Sequence, residues 1–187
     1  MAKIENIQVY GIEDSFKASK YPFAVNTDDV NSEITDKIRS LAKCKMGTGH
    51  DNFLNGIIVQ FDLTFSIKAW VESERYHFLD FVSSQSTMHC ISKMDIKAMC
   101  NDYVSDVVIA EAERLKQVYL NDKTPENYLK LLYNIPVGFE LTARMTTNYR
   151  QLKTIYNQRK THRLPDWHVF CDFIENLPYA KELICND

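Results

Sequence analysis

The chain has 187 residues and a mass of 21.8 kDa. That is short of the roughly 250 residues at which cores begin to divide, so one domain spanning 1–187 is expected. Its 45% hydrophobic and 25% charged residues, with only five Gly and five Pro, exclude a disordered or low-complexity chain. A net charge of −3 and a pI near 6.0 exclude a global basic footprint for duplex DNA or an anionic membrane, so any anion site has to be local.

In chain order, Ile4 to Tyr10 reads as an opening strand. Ile34, Ile38, Leu41 and Ala42 then recur at helical spacing, with Asn31 or Ser32 as the expected N-cap and an end near Lys45. After the turn Gly47-Thr48-Gly49-His50, Ile57, Val59, Phe61, Leu63, Phe65 and Ile67 alternate with Ile58, Gln60, Asp62, Thr64 and Ser66, which predicts a long half-buried strand. From Lys68 to Val82 the period changes, and Val71, Phe78, Leu79 and Val82 predict a helix leaving that strand directly. Asp106 to Leu120 carries Val108, Ala112, Leu115 and Tyr119 on one helical stripe. Thr124-Pro125 caps a further helix to Tyr133. Phe139 to Thr146 reads as extended, Leu152 to Arg159 as helical, and another helix begins at Pro165. Long strands among several helices define an α+β class.

The five cysteines, Cys44, Cys90, Cys100, Cys171 and Cys185, show no CxxC spacing, and no secretory leader or long apolar run is evident. A reducing, cytoplasmic setting is therefore expected. His77 and His89 have no helical His or Cys partner at i+4, so no metal site is expected.

The most informative stretch is Thr147-Asn148-Tyr149-Arg150-Gln151-Leu152-Lys153-Thr154-Ile155-Tyr156-Asn157-Gln158-Arg159. Asn148 and Arg159 are eleven residues apart, about three helical turns, and so share a face with Leu152, Ile155 and Tyr156. An inward guanidinium needs an acceptor, either an internal carboxylate or a ligand. Between Glu140 and Arg163 there are six basic residues against one acid, which suggests an anion pocket or a solvated basic face. A second constellation is Ser83-Ser84-Gln85-Ser86-Thr87 with His89, a hydroxyl-rich and amide-rich run expected just after a helix. It is suited to hydrogen-bonding a ligand or to satisfying its own backbone.

The late segment TTNYRQLKTIYNQR resembles the TxNxRxLxxFxxxR segment of the flavin-dependent thymidylate synthases, the ThyX family. Gly49-His50-Asp51 before the long strand is similar to that family's GH turn. The resemblance spans roughly residues 16 to 178 and implies a ThyX-like central sheet flanked by helices. It implies flavin contacts for His50, Asn148 and Arg150 and a uracil contact for Arg159. Ser84, Gln85, Ser86 and His89 are candidates for replacement substrate contacts. FAD, NADPH and methylenetetrahydrofolate are the implied cofactor and co-substrates, a dUMP-like pyrimidine nucleotide the implied partner, and a homotetramer the implied assembly.

The departures are equally specific. The family's RQxxRHRxxSxNExSxRY stretch falls on residues 75–92, where RHR becomes Leu79-Asp80-Phe81, and its Glu-His pair becomes Asn55-Gly56. Its phosphate-binding Arg falls on Leu132. The leading expectation is a divergent enzyme acting at pyrimidine C5, and the alternative is a non-catalytic nucleotide-binding or interaction protein on the same scaffold.

Overall fold

The computed structural model describes residues 2–45 and 47–185. Strand β1 (Lys3–Tyr10) leads into α1 (Ile12–Ala18) and, after two short 3-10 turns, α2 (Asp36–Lys43). Strand β2 (Ile58–Ser66) runs into α3 (Ile67–Ser73) and is followed by β3 (Asp80–Ser84) and the single-turn α4 (Thr87–Cys90). An excursion through α5 (Asp106–Asn121) and α6 (Pro125–Tyr133) returns in β4 (Glu140–Asn148). The chain then closes with α7 (Tyr149–Arg159), α8 (Pro165–Glu175) and α9 (Ala180–Leu183).

The sheet is antiparallel in the order β1-β2-β4-β3, so the two longest strands are central. Alternation along β2 decides its faces. Val59, Phe61 and Leu63 lie opposite Thr147, Met145 and Ala143 on the buried face. There Phe61 and Phe65 meet Phe170, Phe173 and Trp167 of α8 at ring-centroid distances of 4.8 to 5.9 Å. Leu152 and Ile155 of α7 complete this core, and a second cluster under α5 and α6 is built from Ala112, Leu115, Leu131, Ile91, Ile96 and Phe139. The other face of the sheet carries no helix-facing apolar stripe. Instead Arg144 of β4 reaches across it, donating to Asn6 O, Asp62 Oδ1 and Gln8 Oε1 at 2.8 to 3.3 Å.

Several sequence expectations hold closely. Thr124 caps α6 by accepting from Asn127 N–H, and α8 starts at Pro165. Two are corrected. The N-cap of α2 is Thr35, whose Oγ1 accepts from Ile38 N–H, and not Asn31 or Ser32. The helix expected from Lys68 to Val82 ends at Ser73. Of the four residues that defined its stripe only Leu79 is buried, and Phe78 takes the left-handed conformation with φ 65°, turning the chain into β3. The run from Ser83 therefore belongs to an edge strand and the start of α4 and is not a helix exit.

Candidate functional site

The structure distributes the candidate residues over three places. The first is the N-terminal end of α7. Asn148 closes β4 opposite Ile58 and caps α7, its Oδ1 accepting from Gln151 N–H at 2.9 Å. The turn at Gly49-His50 brings Asp51 under this end. Asp51 is fully buried and accepts from Arg150 Nε at 3.2 Å and Lys153 Nζ at 3.3 Å, while Lys153 also donates to Ala42 O and Cys44 O. Asn148 and Arg150 thus lie at the start of α7, and Arg150 bonds Asp51, the chain neighbour of His50. Asp51 and Lys153 form the buried ionic link beneath them. The sequence reading did not single out Asp51, although a carboxylate beside a Gly-rich turn and six cations downstream pointed to it. Gly56, which stands where the family has His, packs closely on α1: a Cβ there would lie 2.4 Å from Ser15 Oγ, so a larger residue would have to displace that hydroxyl.

The second place is the other end of α7, about 16 Å along the helix at 1.5 Å per residue. Arg159 is buried and lies 4.3 Å over the Trp167 ring. Its Nε donates to Tyr76 Oη at 2.7 Å, Nη1 to Glu72 Oε2 at 3.0 Å and Nη2 to Glu72 O at 3.3 Å. Glu72 also receives Trp167 Nε1 at 3.2 Å and lies 3.3 Å from both Lys68 Nζ and His162 Nε2. Burial alone would raise the Glu72 carboxyl. The hydrogen bonds from Lys68 and Trp167, with the charges of His162 and Arg159, outweigh it and hold the group below its ordinary range. His162 is lowered, first by burial and then by Arg159, with Glu72 opposing. Its Nδ1 accepts from Leu164 N–H, which leaves the Nε2 proton for Glu72. Of the two roles open to Arg159 from sequence, this geometry supplies the internal carboxylate. Glu72 and Tyr76 lie outside the apolar stripe by which the sequence marks this segment, so no local period points to them.

The third place is the β3 edge. Ser84 pairs with Ala143, Gln85 N–H donates to Thr142 O, and Gln85 Oε1 accepts from Thr142 N–H at 2.8 Å. Ser86 precedes α4 without a side-chain cap, and His89 is exposed in that turn. Ser84 and Gln85 line a cleft of about 340 Å³ whose walls include Trp70, Phe81 and Leu141. Trp70 packs on Phe81 at 5.0 Å and donates from Nε1 to Leu141 O, fixing one side. Leu79-Asp80-Phe81 places one buried apolar residue, one exposed carboxylate and one half-exposed ring on the way into this cleft, and no cation. The residues present therefore do not fit the phosphate and ring contacts that RHR supplies to a flavin in the resembled family. Among the described residues, no group of three His, Cys, Asp or Glu is placed to hold a metal ion, and no helix is long and apolar enough to cross a membrane.

An α+β sheet flanked in this way is the ThyX-like fold, and comparison with solved structures shows it directly. A flavin-dependent thymidylate synthase ThyX from Helicobacter pylori, complexed with FAD and dUMP, matches with a TM-score of 0.76 at 11% identity, over 97% of this chain and 97% of that one. A second structure of ThyX from Helicobacter pylori with FAD and dUMP matches with a TM-score of 0.77 at 13% identity, over 98% and 97% of the two chains. A UMP/dUMP methylase PolB from Streptomyces cacaoi, bound with 5-Br dUMP, matches with a TM-score of 0.66 at 16% identity, over 94% and 88%. No family sequence profile matches the chain, and neither does any curated protein sequence.

Proposed function

We propose that this protein binds a pyrimidine nucleotide of the dUMP type on a ThyX-like scaffold, in an assembly of identical subunits. The observation that carries the reading is the near full-length likeness of fold to structures whose ligands are dUMP or 5-Br dUMP. The layout of the candidate residues supports it. In one chain Arg150 and the Ser84–Gln85 edge lie apart, as expected of sites completed by neighbouring copies in a homotetramer. Arg150, with its side chain 29% exposed, keeps donors for an anionic ligand after bonding Asp51.

Flavin binding is expected to be weak, because two charge-assisted contacts are replaced by Leu79 and Phe81; the expected loss is about two decades in affinity or more. A second reading, C5 methyl transfer with FAD, NADPH and methylenetetrahydrofolate, is favoured by the activity named for PolB, the methylase whose fold this chain shares. Calorimetric titration with dUMP and UMP, with a visible spectrum of the purified protein, tests the first reading. Absence of heat with either nucleotide at about 1 mM would remove it. Methylated product formed from dUMP with the three co-substrates would establish the second.

A further inference from the structure

A larger recess lies away from the Ser84–Gln85 cleft and shares no lining residue with it. It measures about 690 Å³, inside the ordinary range for small-molecule sites. It opens between the start of α3, the 101–105 loop, the 136–138 segment and the start of α8. Its walls are apolar where Val104, Val137 and Leu164 meet. Asp166 lines it, nine-tenths buried at 6% exposure, and its Oδ1 accepts one hydrogen bond, from Ser66 N–H at 3.0 Å. Among the described residues no cation pairs with this carboxylate. Asp166 sits in the first turn of α8, where the helix N-terminus favours a carboxylate, and no oxygen of it is sealed from both solvent and partners. Lys68 and Arg163 also line the recess; Lys68 is shared with Glu72, whereas Arg163 is exposed and has no carboxylate partner among the described residues.

The walls are set before any ligand arrives. Ile67 N–H donates to Phe139 O, Lys68 N–H to Val137 O and Asn101 N–H to Gly138 O, at 2.9 to 3.0 Å. Gly138 is packed so closely that a Cβ would lie 2.4 Å from Val104 Cγ2 and 2.8 Å from Asn101 Oδ1. An apolar-walled recess with one buried carboxylate and an exposed guanidinium that lacks a carboxylate partner among the described residues is complementary to a particular chemistry: a flat ring with an N–H donor edge joined to an anionic group.

We propose that this recess is a small-molecule site of its own, in which Asp166 accepts from the N–H or amino edge of a heterocycle and Arg163 holds its phosphate or carboxylate. Guanosine 5′-phosphate combines both features and is the probe. In calorimetric titrations of the full chain it is expected to bind, with guanosine binding more weakly. Arg163→Ala, at an exposed position, should weaken the phosphate-bearing probe about tenfold or more and leave guanosine unchanged. Asp166→Asn keeps an oxygen for Ser66 N–H and should weaken both compounds. Val137→Trp fills the slot without touching a polar contact, so it tests the site even if Asp166→Asn fails to fold. Loss of dUMP binding in Gln85→Ala with the guanosine probe unaffected would separate the recess from the proposed pyrimidine site. The idea is overturned if the probe gives no heat at about 1 mM, if Arg163→Ala and Val137→Trp leave its affinity unchanged, if inorganic phosphate competes as well as the nucleotide, or if dUMP and the probe exclude each other.

Discussion

Removing Arg159 tests how far the end of α7 is held by its own ion pair. In Arg159→Ala the Glu72 carboxylate keeps Lys68, His162 and Trp167 but loses its buried guanidinium. Tyr76 Oη loses its donor, and the Trp167 face loses the cation 4.3 Å above it. Breaking a buried pair costs about 3 to 5 kcal/mol. Glu72 is 16% exposed and retains other donors, so the lower end, about 3 kcal/mol, applies. For a chain of this size each kcal/mol moves the midpoint by about 2 to 4 °C, giving a fall of about 6 to 12 °C in thermal unfolding followed by circular dichroism. Arg159→Lys should fall in between, keeping a charge for Glu72 while losing the fork that reaches Tyr76 and the Glu72 carbonyl together. A shift below about 2 °C in the alanine variant, accompanied by loss of dUMP binding, would refute this reasoning and restore Arg159 as a direct ligand contact.

Acidification should weaken the same cluster. Both Glu72 and His162 lie lower in the folded protein than their ordinary values of 4.5 and 6.5, so the unfolded chain takes up more protons as pH falls and stability falls with it. The loss begins as pH drops through 6.5 and resumes below 4.5, and His162→Asn should remove the first step in urea titrations across pH. Asp51→Ala, which leaves Lys153 buried among carbonyl oxygens alone, should cost about 3 to 5 kcal/mol in urea unfolding, whereas Asp51→Asn should cost less. Thr124→Ala removes the cap of α6 and should cost about 1 kcal/mol in the same assay. Alkylation of the native protein at neutral pH should label exposed Cys90 before Cys171, whose thiol burial pushes up to about 12.

The parts of the fold legible in the sequence were those fixed by a strong local period or cap. Val59-to-Phe65 alternation located β2 to within a residue, and Thr124-Pro125 located α6. The piece after Ser73 was not legible, because Phe78, Phe81 and Val82 are all exposed, and the place of Phe81 is decided by pairing with β4 and contact with Trp70. At the candidate site, the shared place of Asn148 and Arg150 at the start of α7 follows from their spacing. Glu72 meeting Arg159 across 87 residues could not, since no local rule connects the two. Asp166 likewise looks in sequence like an ordinary acid in the first turn of a helix, and only folding places it beneath an apolar slot.

The two outer strands share an irregularity. Pairing slips between Glu5 and Gln8 in β1, where Asn6 adopts φ 52°, and again between Phe81 and Ser83 in β3. A foreign strand running along either margin would meet a break in the ladder after a few residues, so the sheet offers a poor template for continuous extension. Fibrillar stacking through the margins is thereby discouraged, even though the all-exposed β3 carries Phe81 and Val82. For the proposed assembly of copies, broadside contact across the Arg144-laced face or through helices is then the expected route, through a surface of finite extent that can close on itself.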